Sequence, residues 1–289
     1  MYARAVVATV TAFLGTAALP SPTADDVPHN ISTPVVVAHR GASSYAPENT
    51  LPAIDKAAEL GFPWVENDVQ RTRDGELVII HDDTLKRTTN AEEVFPDRSP
   101  WKVKDFTAAE IARLDAGSWF SPAYANTRVP TLKDYLSRLE QDHEKLLLEV
   151  KNPELYPGIE QDILKTLDNE GWLDRPHLGR LIVQSFGADS IRTVHDLRPD
   201  ITTAYLGAPA ADRLPEYARF SDLINPSYGK VSAAYVSAVH DVTGPHGRRL
   251  GVFVWTVDDA EAARRSAGYG VDGLITNKPD VVREALHGQ

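Results

Sequence analysis

Short runs of β-branched and aliphatic residues alternate with amphipathic stretches from Val35 to the C-terminal end of the sequence. The runs Val35–Ala38, Trp64–Gln70, Leu77–His81, Leu146–Val150, Leu181–Ser185, Ile201–Leu206, Asp222–Asn225, Leu250–Thr256 and Gly273–Thr276 are predicted strands. Several are apolar without interruption, as in strands covered on both faces. Between them, apolar residues recur at helical spacing. Leu132, Tyr135, Leu136 and Leu139 share a face behind a Thr131 cap, and Ile159, Ile163, Leu164 and Leu167 share one after Pro157-Gly158. Such alternation over about 250 residues predicts an α/β fold, a distorted TIM-type (β/α)8 barrel. Nine candidate strands are one too many for eight. The surplus is resolved if Asp74-Gly75 is a tight turn, so that Leu77–His81 runs antiparallel to Trp64–Arg71. An open doubly wound sheet is the competing arrangement. It would bring a glycine-rich phosphate loop after the first strand, and none follows Val35–Ala38.

Residues 82–130 are long for a loop and carry a small helix of their own, with Thr107 and Glu110 spaced as a capping box ahead of Ile111 and Leu114. The segment is expected to be an insertion over the carboxyl-end mouth, too short and too poor in apolar residues to bury a core. The first 24 residues differ from all that follows. Arg4 is their only charge, an apolar run spans Ala5–Leu19, and Pro20–Ala24 is small and proline-containing ahead of Asp25-Asp26. That order reads as a secretory signal peptide cleaved near Ala24. The apolar run is shorter than the ~20 residues that a bilayer span needs. A linker over 25–34 then leads to a barrel domain over 35–289, expected to work outside the cytoplasm with no stable membrane insertion after cleavage.

Composition narrows the chemistry. With 42% hydrophobic and 25% charged residues the chain is globular in character. Thirty Lys and Arg against 41 Asp and Glu leave a net charge of −11, which would repel a nucleic-acid backbone, so no nucleic-acid partner is expected. The sequence contains no cysteine, which excludes disulfides, cysteine-ligated metals and thiol nucleophiles.

In a parallel barrel the chemistry sits at the carboxyl ends of the strands. Those ends carry His39-Arg40-Gly41, Glu66 with Asp68, His81-Asp82, Glu149-Val150-Lys151, Gln184, Asn225, Trp255 and Thr276-Asn277-Lys278. Glu66 and Asp68 lie two apart on a strand and so point to one side of the sheet, and Glu149 and Lys151 repeat that geometry. Three carboxylates aimed into one mouth repel one another unless a cation sits between them, and oxygen-only ligation selects a hard divalent ion, Ca²⁺ or Mg²⁺. His39 and His81 are the two histidines at strand ends, suited to an acid–base pair. Arg40 offers a planar fork for phosphate oxygens and Lys151 a point charge. A metal, two cations and two proton carriers together describe phosphoryl transfer.

The ordered motifs resemble the glycerophosphodiester phosphodiesterase family. They are His39-Arg40-Gly41, Pro47-Glu48-Asn49-Thr50, Glu66-Asn67-Asp68, Asp74-Gly75, His81-Asp82, Leu85–Thr89, Leu114–Gly117, Val129–Leu132, Glu149-Val150-Lys151, Val254–Val257 and Asp272–Asn277. The resemblance implies a secreted bacterial enzyme that binds one divalent ion and cleaves a glycerophosphodiester to sn-glycerol 3-phosphate and an alcohol. It assigns metal ligation to Glu66, Asp68 and Glu149, acid–base work to His39 and His81, and phosphate binding to Arg40 and Lys151. It makes Trp255 an aromatic wall, and places Glu48 and Asn49 in the first active-site loop, with Asn49 in reach of the glycerol or of a metal-bound water. The substrate is expected to be a deacylated phospholipid or a glycerol-phosphate polymer such as teichoic acid. Asn67, where the family often has an apolar residue, should point away from the carboxylates. Two other readings are a phospholipase-type enzyme, using Trp119, Phe120 and Tyr124 as an apolar rim, and a non-catalytic phosphate-binding barrel.

Overall fold

The structure is a computed structural model that describes residues 33–288. The expected export signal over 1–24 and most of the expected linker over 25–34 lie outside the described residues. Nine strands form one sheet: β1 (Val35–Ala38), β2 (Trp64–Arg71), β3 (Leu77–Ile79), β4 (Lys145–Val150), β5 (Leu181–Ser185), β6 (Thr202–Leu206), β7 (Leu223–Asn225), β8 (Gly251–Val254) and β9 (Gly273–Thr276). Parallel pairing runs in the order β1-β9-β8-β7-β6-β5-β4-β2, and contact of β1 with β2 at Ala38 and Val65 closes the barrel. β1 covers only the lower part of β2. The upper edge of β2 pairs instead with β3, antiparallel, from Val69 opposite Ile79 to Arg71 opposite Leu77. Gly75, at φ +94°, makes the connecting turn, a conformation that side chains with a Cβ resist. The ninth strand of the sequence reading is thus the returning arm of a hairpin.

Strand alternation sorts the side chains. Val37, Leu147, Ile182, Ala204, Leu223, Phe253 and Ile275 fill the barrel interior. Their neighbours of opposite parity, among them Ala38, Val65, Val69, Leu146, Leu148 and Val183, pack outward on the helices through Leu132, Leu136, Ile159 and Ile163. Each fully buried aliphatic side chain of this kind contributes about 1.5–3 kcal/mol. The helix Leu132–Gln141 starts at Thr131 in a capping box with Asp134. Ile159–Asn169 buries the apolar face that its spacing predicted. Asn67 has outward parity, as expected, and is fully buried, with no hydrogen-bond partner for either amide atom.

The insertion departs from expectation in one respect. It does bury a cluster, formed by Leu85, Trp101, Val103, Phe106, Ile111 and Leu114, but against Val78 and Ile80 of the hairpin arm. The capping box of Thr107 and Glu110 is present at the start of Ala108–Ile111. Among the described residues no helix is long and apolar enough to cross a membrane.

Candidate active site

The inward parity that places Leu147 in the barrel carries Glu149 and Lys151 to the mouth, and Glu66 and Asp68 extend the series that begins at Trp64. One oxygen from each of Glu66, Asp68 and Glu149 lies within 4.8 Å of the others, and all three residues are buried. Burial, then the neighbouring carboxylates, pushes Glu66 well above the usual carboxylate range and Glu149 up to about 7. Burial pushes Asp68 the same way, but Lys151, Arg40 and His81 outweigh it and hold Asp68 low. Two proton-hungry carboxylates around an ionised one, with Asp68 Oδ1 accepting no hydrogen bond, form a set that a divalent cation would satisfy.

The turn after β1 supplies the next groups. Arg40 and Gly41 adopt positive φ, 57° and 79°, and the Arg40 backbone N–H donates to Glu66 Oε2 at 2.9 Å. A Cβ on Gly41 would lie 2.5 Å from Ala53 Cβ, so the third residue of the motif must be glycine. The Arg40 side chain donates to Glu48 Oε1 at 2.8 Å and its Nε stands 3.4 Å from Asp68 Oδ2. Lys151 donates to Glu149 Oε1. Burial opposes charge on both cations, yet the carboxylates around them keep each firmly protonated.

His39 follows β1 and His81 follows β3. His81 reaches the site because β3 runs back toward the barrel, with Ile80 N–H bonded to Asp68 O at 3.0 Å. Its Nδ1 donates to Asp82 Oδ1 at 2.8 Å, since a carboxylate can only accept. Asp82 is held in turn by Arg87, which also grips Glu48. This chain of ion pairs ties the loop after β1 to the loop after β3. His39 Nδ1 lies 2.7 Å from Asn277 Oδ1, and its Nε2 is 4.0 Å from Glu66 Oε2. Burial, then Arg40, pushes His39 down to about 4, so it is uncharged at neutral pH. Burial also lowers His81, against the pull of Asp68 and Asp82.

One cavity of about 90 Å³ is lined by His39, Arg40, Glu66, His81, Glu149, Lys151 and Trp255, seven of the nine residues nominated from sequence. Asp68 lies beside it among its fellow carboxylates. Asn49 is buried outside the lining of this cavity, and it donates from Nδ2 to Asp68 Oδ2 at 2.8 Å, so it orients a carboxylate of the set. Trp255 is anchored by its indole N–H on Asn225 O and meets Phe186 edge to face at 5.5 Å. A wider cavity of about 770 Å³ opens from His81, Glu149 and Lys151 past Asp82, Leu155 and Phe186. Trp119 meets Phe120 edge to face, Phe120 meets Tyr124 likewise, and Tyr124 donates to Tyr45 O, while Trp119 remains exposed.

Sequence reading gave no role to several contributors. Gln184 approaches Glu66 Oε1 with Nε2 at 3.4 Å while Asn225 donates to its Oε1 at 2.9 Å. Both stand among the strand-end residues read from the sequence, but only the fold shows the bonds they make. Asn277 and Asp258 support His39, and Phe186 walls the mouth.

The model of the glycerophosphoryl diester phosphodiesterase family matches residues 39–281. A glycerophosphodiester phosphodiesterase of Caldanaerobacter subterraneus subsp. tengcongensis is 35% identical over 256 residues, covering 86% of this chain and 96% of its own. Another from Bacillus subtilis is 33% identical, covering 88% and 87%. The structure of an Oleispira antarctica phosphodiesterase in complex with the product sn-glycerol-3-phosphate superposes with a TM-score of 0.74 at 29% identity, covering 88% of this chain and 97% of that one.

Proposed function

The chain belongs to the glycerophosphoryl diester phosphodiesterase family and hydrolyses glycerophosphodiesters, and we propose that it does so with one divalent cation held by Glu66, Asp68 and Glu149. The observation that carries this reading is a cavity that joins Glu66 and Glu149, with Asp68 beside them, to both histidines, Arg40 and Lys151. Such an ion supplies charge neutralisation for the phosphoryl oxygens and the attacking oxygen. Oxygen-only donors favour Ca²⁺ or Mg²⁺ over softer metals.

Arg40 and Lys151 flank the carboxylates and meet the phosphate, stabilising the negative charge that builds on its oxygens. His39, whose Nδ1 is committed to Asn277, faces the reacting centre with Nε2 and takes the proton of the attacking hydroxyl. His81, backed by Asp82, gives a proton to the departing alcohol. That nucleophile is water or the glycerol 2-hydroxyl, and both routes use the same two proton carriers. The glycerol phosphate half sits in the inner cavity against Trp255, a placement in keeping with the binding of sn-glycerol-3-phosphate by the Oleispira antarctica phosphodiesterase. The alcohol half extends into the outer cavity past Phe186.

Deacylated phospholipids and glycerol-phosphate polymers present the same diester. Release of glycerol 3-phosphate from glycerophosphocholine, glycerophosphoethanolamine and poly(glycerol phosphate), measured in parallel, separates them. A preference for the small diesters identifies a scavenger, and a preference for the polymer identifies a wall hydrolase. No release from any of the three would remove this substrate class. Residues 1–24 support export of the mature enzyme. Mass spectrometry of protein recovered from the medium tests that, with a start near Asp25 expected and an intact N-terminus inside the cell contradicting it.

A further inference from the structure

We infer that Asp258 is a positioning residue that acts through Asn277 to keep the proton of the His39 ring on Nδ1. The inference rests on the reading that His39 works from Nε2, and it extends that reading to a residue that touches neither His39 nor the cavity. Asp258 Oδ2 lies 2.7 Å from Asn277 Nδ2, while Oδ1 accepts from the Asn277 backbone N–H at 2.8 Å and from Thr276 Oγ1 at 3.2 Å. A carboxylate has only acceptors, so the amide nitrogen of Asn277 must face it. The amide oxygen is thereby turned the other way, toward Ser43 Oγ and His39 Nδ1, each at 2.7 Å. An oxygen there requires a donor, so Nδ1 carries the hydrogen and Nε2 keeps its lone pair. The polarity of the chain from Asp258 through Asn277 to His39 is fixed at its far end.

Polarity makes the idea separable from a plain structural role. Asp258→Asn puts an amide nitrogen opposite Asn277, whose own amide then turns over to offer its oxygen. Its nitrogen now faces His39, Nδ1 must accept, and the proton moves to Nε2. The reciprocal exchange D258N/N277D restores an acceptor toward Nδ1, with the donor and acceptor of the first link exchanged and the bonds from the Thr276 hydroxyl and the residue 277 backbone N–H kept.

The test is ¹⁵N–¹H correlation spectroscopy of the full-length protein with labelled histidine, which reads the tautomer without substrate, alongside kcat and KM on glycerophosphocholine. The expected results are an Nδ1–H ring in the wild type and an Nε2–H ring in Asp258→Asn. With the latter, kcat falls by about 10²-fold or more at little changed KM, and the double variant recovers both the tautomer and most of kcat. Retention of Nδ1–H and near-normal kcat in Asp258→Asn would overturn the proposal. So would a folded double variant with an Nε2–H ring, which remains informative even where the single variant does not fold. A wild type with the expected tautomer but no diesterase activity would instead remove the functional reading.

Discussion

Lys151 donates from Nζ to Oε1 of Glu149 at 2.8 Å, two residues along one strand end, and the same ammonium stands 3.3 Å from Oδ1 of Asp68. One cation therefore leans on two of the three carboxylates that would ligate a metal. Glu149→Gln keeps the side-chain volume and removes the charge. Metal affinity should fall at least 10–100-fold, the range typical of losing even an outer partner of a ligand. Calorimetric titration with Ca²⁺ or Mg²⁺ checks this, and an unchanged dissociation constant would remove Glu149 from the ligand set.

His39 and His81 approach the cavity from different strands, each with Nδ1 engaged by its own partner. Replacing either with Ala should lower turnover by about 10²–10⁴-fold while the circular dichroism spectrum stays as it was. A variant that retains near-normal turnover would take that histidine out of the mechanism.

Glu144, at the foot of β4, is buried with no hydrogen-bond partner on either oxygen, and burial pushes its carboxyl up to about 9. The folded protein thus keeps a proton that the unfolded chain releases above its ordinary value of 4.5. Across that window the native state binds more protons, so this residue's contribution to stability falls as pH rises. Glu144→Gln removes the slope. The variant should match the wild type near pH 4.5 and exceed it by roughly 2 kcal/mol or more at pH 8, because each tenfold difference in proton affinity between the folded and unfolded chain is worth ~1.4 kcal/mol. Urea unfolding at both pH values measures the difference, and parallel behaviour of the two proteins would show that Glu144 is ionised in the fold.

Gly41 combines a left-handed φ with a backbone approach that leaves no room for a methyl group. Gly41→Ala should cost about 2 kcal/mol or more in unfolding free energy. It should also weaken metal binding, because the neighbouring Arg40 N–H holds Glu66. An unshifted denaturation midpoint would mean that the turn relaxes freely.

The barrel was legible because its strands are short apolar runs and the one surplus run follows an Asp-Gly turn. Glu66 with Asp68, and Glu149 with Lys151, were legible because spacing of two on a strand fixes a shared face. The function of Asn49 was not. Its motif stands out, but only the fold shows that its amide is committed to Asp68. Asn277 and Asp258 were harder still, since Asn277 is 238 residues from His39 and meets it only where β9 pairs with β1. The core of the insertion escaped for a related reason. Trp101, Phe106, Ile111 and Leu114 lie on bends and one helix of four residues, too short to show periodicity, and they cluster only against the arm of the β2–β3 hairpin.

Whether hydrolysis depends on an ion held by Glu66, Asp68 and Glu149 is decided by stripping the protein with chelator, verifying removal by elemental analysis, and following glycerol 3-phosphate release from glycerophosphocholine while Ca²⁺ or Mg²⁺ is returned. Loss of activity on stripping and full recovery at one ion per chain is the expected result. Undiminished release by protein shown to be free of metal would contradict the account.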